Sequence, residues 1–332
     1  MGDDGRGARP NPHARLPLRP LNVVVLHNPR SGRGLAKSIA QGIHDHFEAR
    51  GHAAKLLAVG DAERLDPDKL ALARALVVVG GDGTVNHATD AAIAACVPLY
   101  HAPTGNENLF ARALSMTRDP EEVVRAVEEG RSALADVGTC AGHTFLITAG
   151  FGPDAGVIRR LTATRTRAIG HRAYVEPILR EACRPHLPRL WVEADGRPVV
   201  EGARGVLVVG NSREYASHLN PCPGASLFSG RLEMTFLPAR STVGVAGWAL
   251  ALWARRAASS RRATAVGATE LRVRSESPML AQIDGELLPD GGPTNGAHEI
   301  VVGVRPSVLR VVLTAQARVP RECKNGQTSK FS

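Results

Sequence analysis

Three times in the first 112 residues, an apolar run passes directly into a turn and then into a helical pattern, and few architectures accommodate that order. The runs are residues 21–27 (LNVVVLH), 75–79 (ALVVV) and 98–102 (PLYHA). They lack polar alternation, so each is expected to be buried on both faces, as strands of a parallel sheet are. Helices should lie between them. Leu35, Ile39, Ile43 and Phe47 recur on one face ahead of Gly51; a further strand is expected at 53–59, and helices near 61–73 and 85–95. Asp119 to Glu122 supply an N-cap, a first-turn proline and acids for a helix that Gly130 closes. This alternation predicts an α/β fold class, with a doubly wound parallel α/β nucleotide-binding domain over residues 21–140.

Beyond residue 140 the texture changes to short strands parted by turn residues, including an Asp195-Gly196 hairpin signal. A β-rich, sandwich-like second domain is therefore expected over 141–304, with helical interludes near 165–183 and 241–257. Residues 305–317, containing the strand 307–313, are expected to return to the first domain. Residues 1–20 and the basic tail 318–332 read as disordered.

The net charge of +9 is concentrated. Residues 159–189 hold eight arginines against Glu176 and Glu181, and residues 253–274 hold six against Glu270. Such clusters suit an anionic membrane surface, and solvated arginine without a role fits them as well. Only 4% of residues are aromatic and no nucleic-acid-binding signature appears, so no specific nucleic acid is expected as a partner. The five scattered cysteines (Cys96, Cys140, Cys183, Cys222, Cys323) indicate reduced thiols rather than disulfides or zinc. The longest apolar stretch, residues 243–254, is too short for a hydrocarbon core of about 30 Å. As a helix it would lie on the second domain's core or, with Trp248, Trp253, Arg255 and Arg256, at a membrane interface. A cytoplasmic protein peripherally associated with the membrane is the expectation.

The strongest local signal is Gly80-Gly81-Asp82-Gly83-Thr84-Val85-Asn86, a strand entering a glycine turn and a helix. Glycines let backbone N–H groups approach a phosphate, and the helix N-terminus adds positive potential. Asp82 would be repelled by phosphate unless it serves Mg²⁺ or the acceptor's proton; otherwise it caps a helix. A second turn, Asn28-Pro29-Arg30-Ser31-Gly32, follows the first strand, and a third, with Gly105 and Asn106, follows the strand at 98–102. All three fall at the carboxyl ends of strands, the edge where open α/β sheets bind ligands. Neither a P-loop nor a dinucleotide fingerprint is present.

In order and spacing, the N-P-x-S-G turn, GGDGT with Asn86, and Gly105 to Arg112 resemble the catalytic domain of diacylglycerol kinases, sphingosine kinases and related bacterial lipid kinases. Asp136-Val137-Gly138, residues 145–154 (FLITAGFGPD), residues 208–237 and Ile283-Asp284-Gly285-Glu286 extend the resemblance over residues 22–314. It implies ATP bound at Asn28 to Gly32 and at Gly80 to Asn86, with Gly105 and Asn106 completing the phosphate site. It implies Glu286 as general base beside Asp82, with Mg²⁺ as cofactor. A structural-metal slot would comprise Ser226, Ser229 and the Arg231 carbonyl, where Ser229-Gly230 replaces the family's D-G pair and loses a negative ligand. The implied partners are a membrane lipid substrate, diacylglycerol-like or sphingoid, entering between the domains, and a second copy in a homodimer. Taken alone, Glu286 reads as a solvated hairpin acid; within the full series of motifs it reads as the base. Two other readings stay open: a non-catalytic nucleotide- or lipid-binding homologue, and a soluble-substrate kinase of the NAD kinase type.

Overall fold

The structure is a computed structural model that describes residues 20–60, 64–152, 187–254, 257, 260–277, 280–288, 298–317 and 328–330. Four parallel strands, β1 (Asn22–His27), β2 (Ala53–Ala58), β3 (Ala75–Gly80) and β4 (Leu99–Pro103), lie in the order β2-β1-β3-β4. Every residue of β3 is buried, whereas edge strand β2 alternates, so burial follows position in the sheet. Helix α1 (Leu35–Ala49) buries Ala36, Ala40, Ile43 and Phe47. Its stripe is rotated from the expected one, because Leu35, at the first turn, remains 57% exposed. Helices α2 (Asp82–Ala94), α3 (Leu109–Ala113) and α4 (Pro120–Glu129) complete this half. Asp119 caps α4 by accepting from the Glu122 amide at 3.0 Å, and Gly130 closes it at φ +61°.

The helix expected near 61–73 is absent from its described part, where only a 3-10 turn, Pro67–Leu70, forms. Pro67 holds Asp66 extended, and the Asp66 carboxylate accepts from the Asp68 amide at 3.0 Å, so the chain starts afresh there.

The second half is antiparallel: β5 (Arg131–Cys140), β6 (His143–Phe145), β7 (Thr148–Phe151), β8 (Arg189–Ala194), β9 (Arg197–Gly210) and β10 (Leu232–Pro238). After helix α5 (Thr242–Trp253) come β11 (Thr264–Ala268), β12 (Glu270–Ser275), β13 (Ala281–Ile283), β14 (Glu286–Leu287) and β15 (Glu299–Val312). Asp195 and Gly196, both at positive φ, turn β8 into β9 as the D-G pair predicts. Residues 143–151 form two strands, β6 and β7, because the amides of Leu146 and Ile147 between them turn to the Asp284 carboxylate. Strand β11 had no clear sequence signal.

β15 is a single strand that pairs with β12 at one end and, through Val311, with β4 at the other. An irregularity between Arg305 and Leu309 interrupts its pairing with β5, and there the Ser307 amide donates to Asp136 at 2.9 Å. One strand thus joins the two cores, and Asp136 clamps its bend. Residues 328–330, expected in a disordered tail, form a short strand, β16 (Thr328–Lys330), on β5.

Of the two placements expected for helix α5, the one on the second core is not seen: none of its residues is buried. Among the described residues no helix is long and apolar enough to cross a membrane. The arm 1–19, the helix near 165–183, most of the 159–189 arginine cluster and the tail 318–327 lie outside the described residues.

Candidate active site at the rim of the parallel sheet

The three turns meet at the carboxyl edge of β1, β3 and β4. The Thr104 amide donates to the Gly80 carbonyl at 2.8 Å, and the Asn28 amide reaches the Val79 carbonyl at 3.4 Å. The Ser31 and Thr104 hydroxyls are 2.9 Å apart. A Cβ on Gly105 would stand 3.0 Å from the Gly81 Cα, so the second and third turns touch backbone to backbone where side chains would part them.

In the first turn, Asn28 is buried and its Oδ1 accepts from the Arg30 amide at 2.9 Å, which folds Pro29 and Arg30 outward and leads Ser31 and Gly32 into a 3-10 turn. In the second, the Gly81 carbonyl accepts from the amides of Thr84 and Val85. The amides of Asp82 and Gly83, first in α2, remain for a bound group. The Val85 side chain is fully buried in the core, so only its backbone belongs to the rim. In the third, the Asn108 side chain bridges the amide and carbonyl of Gly105 at 2.8 and 2.7 Å, and Asn106 is exposed at the tip.

Asp82, expected as a catalytic acid, has its carboxylate engaged by backbone amides. Its two oxygens accept from the amides of Leu109 and Phe110, at 3.0 and 3.2 Å. Those are the first orphan donors of α3, so this acid caps a neighbouring helix and ties the second turn to the third. Beneath it His101, fully buried, places Nε2 3.0 Å from the Gly80 carbonyl. Burial lowers its pKa, although Asp82 nearby and the hydrogen bond to Gly80 pull the other way.

Glu286 arrives from the β-rich half, at the start of β14. Its side chain is 48% exposed, and a Cβ on Gly83 would meet its Oε1 at 2.7 Å, so the carboxylate lies directly over the first turn of α2. His87 Nε2 is 4.0 Å from its other oxygen.

What carries Glu286 there is Asp284, a residue to which sequence reasoning attached no role. The Asp284 carboxylate accepts from the amides of Leu146, Ile147 and Thr148 at 2.7 to 3.0 Å and from Asn86 Nδ2 at 3.0 Å. Asn86 also donates to the Thr144 carbonyl at 2.9 Å. The Asn86 side chain therefore links α2 to the β-rich half. Burial pushes the Asp284 pKa up to about 6, against the pull of those four donors. The Asp284-Gly285 pair, both at positive φ, was the available signal.

The slot expected to hold a structural metal does not fit one. The Ser229 hydroxyl lies 3.1 Å from the Ser226 carbonyl and 2.9 Å from that of Arg231, closing the turn on neutral groups. The nearby Asp136 accepts from the amides of Gly230 and Ser307. A divalent cation needs more anionic oxygen than a hydroxyl and two carbonyls supply, and among the described residues no cluster of three His, Cys, Asp or Glu exists.

The diacylglycerol kinase catalytic domain family matches residues 22–140, which contain all three turns. A Pseudomonas aeruginosa protein named "Probable lipid kinase YegS-like" is 28% identical over 313 residues, 90% of this chain and 96% of that one. A Mycobacterium tuberculosis protein named "Diacylglycerol kinase" is 28% identical over 225 residues, 64% of this chain and 72% of its own. A solved structure described as a diacylglycerol kinase from Bacillus anthracis shares the fold at 16% identity, with a TM-score of 0.63 across 90% of this chain and 98% of that one. The order of turns, their meeting at one rim and these likenesses agree: residues 22–140 match the diacylglycerol kinase catalytic domain family.

Proposed function

We propose that this chain is an ATP-dependent lipid kinase that transfers the γ-phosphoryl group to a hydroxyl of a diacylglycerol-like or sphingoid lipid. The observation that carries the reading is the seat of Glu286, an acid held over Gly83 where three backbone-lined turns meet. The amides of Asp82 and Gly83 and the α2 N-terminus receive phosphate oxygens. Glu286 takes the acceptor's hydroxyl proton as that oxygen bonds to the γ-phosphorus, and the bond from phosphorus to the ADP oxygen breaks. Mg²⁺ entering with ATP supplies charge neutralisation at the phosphates. Asp82 and Asp284 position this machinery and do not react.

The test is a panel of diacylglycerol, monoacylglycerol and sphingoid bases incubated with the protein and Mg-ATP, read by mass spectrometry. The expected result is a phosphorylated lipid formed in step with ADP. ATP consumption confined to a water-soluble acceptor, or binding without turnover, would replace this reading.

A further inference from the structure

From residue 234 to residue 269 the chain has no Asp or Glu, while Arg240, Arg255, Arg256, Arg261 and Arg262 fall within that stretch. Helix α5 sits at its centre and contains no charged residue at all. Ser241 caps it, accepting from the Gly244 amide at 3.4 Å, and the Trp248 indole donates to the Pro238 carbonyl at 2.8 Å, which ties the helix to the end of β10. On the other face Val243, Ala246, Gly247, Leu250, Trp253 and Ala254 are all exposed. Their spacing of three and four makes a single stripe. Val243 is 80% exposed, Leu250 63% and Trp253 75%. Arg240, before the helix, and Arg261 and Arg262, after it, are exposed as well.

A helix of a soluble domain ordinarily turns polar and charged residues outward, and α1 does so with Lys37, Gln41, Asp45 and Glu48. A contiguous apolar stripe on the outside marks a surface meant to be covered. We propose that the outer face of α5 docks this protein on an anionic phospholipid bilayer, with Val243, Leu250 and Trp253 at the headgroup boundary and the arginines among acidic headgroups. Tryptophan and arginine are the side chains suited to that boundary, and twelve residues can lie in it but cannot cross it. Charge selects this occupant over a second copy of the chain, since two such basic, acid-free stretches repel. The inference rests on the lipid-kinase reading only in that such an enzyme must meet its substrate at a bilayer.

Flotation of the full chain without ATP, on phosphatidylcholine vesicles with and without phosphatidylglycerol, keeps docking separate from catalysis. The wild type is expected to float with the anionic vesicles and to release as salt is raised. Leu250→Glu with Trp253→Glu should lower vesicle partitioning roughly tenfold or more, with an unchanged unfolding midpoint because both side chains are exposed. If that variant unfolds, Leu250→Ser with Trp253→Ser is expected to give the same direction of change. Equal partitioning of wild type and variants, or no partitioning of the wild type, would overturn the proposal. So would a wild-type dimer in light scattering that the variants dissociate. Vesicle binding without any lipid phosphorylation would sink the kinase reading and leave the docking face standing.

Discussion

Asp284 and Glu286 stand two residues apart on one turn, yet one is held by four donors and the other keeps its side chain 48% exposed above Gly83. The difference teaches how this site divides its acids. Asp82, Asp136 and Asp284 each accept two or more N–H groups that the fold leaves orphaned, and so they set where loops lie. Among the described residues no such donor meets Glu286, which the proposed function leaves for chemistry. The kind of residue does not decide which acid braces and which reacts; the neighbouring amides do.

The largest effect should come from the open acid. Glu286→Gln is expected to lower kcat for lipid phosphorylation by about 10²- to 10⁴-fold, the usual worth of a general base, with the unfolding midpoint unchanged. Titration of ATP binding and thermal unfolding on the same preparation check both halves. Wild-type turnover in that variant would erase the distinction between the two carboxylates.

Next comes the bracing acid on the same turn. Asp284→Ala leaves three amides and the Asn86 side chain without their acceptor, and denaturant unfolding should show a loss of about 3 kcal/mol. The pH dependence carries a definite sign. Because the folded pKa is raised to about 6 from 3.8, the folded state holds this proton more tightly than the unfolded chain does. That contribution is complete below about pH 4 and is lost as pH rises through about 6. Asp284→Asn should remove up to one proton's worth of this slope, about 1.4 kcal/mol per pH unit, from stability measured between pH 4 and 6. An identical slope in the variant would show that the titrating group lies elsewhere.

The smallest effect is expected at Asp82. As the cap of α3, its replacement by Asn should cost about 1 kcal/mol of stability. The loosened second and third turns should raise KM for ATP more than they lower kcat. A loss of kcat as deep as that of Glu286→Gln would make Asp82 a reacting group after all.

Much of the fold was legible because parallel strands announce themselves. Residues 75–79 are apolar without alternation and prove buried throughout, and the glycines at 80–83 sit at the end of that strand. The 61–73 segment misled because Leu65 and Leu70 are both buried, although Pro67 between them forbids one continuous helix. The turns could be placed on one edge by topology alone. The parts of Asp82 and Asp284 could not, since each bonds to amides that are 27 and about 137 positions away in the chain. Helix α5 was legible as a helix but not as an uncovered one: its residues are apolar on every side, and periodicity cannot say which face the fold leaves bare.

The central claim is that one triphosphate sits on the amides where the three turns meet, with Glu286 beside its terminal phosphate. A crystal structure with a non-hydrolysable ATP analogue tests it most directly. The expected density places the phosphates on the Asp82 and Gly83 amides, with the Glu286 carboxylate facing the γ-phosphate across a gap wide enough for an acceptor hydroxyl. Phosphates bound away from Gly81 and Gly105, or a Glu286 side chain turned out of the cleft, would contradict it.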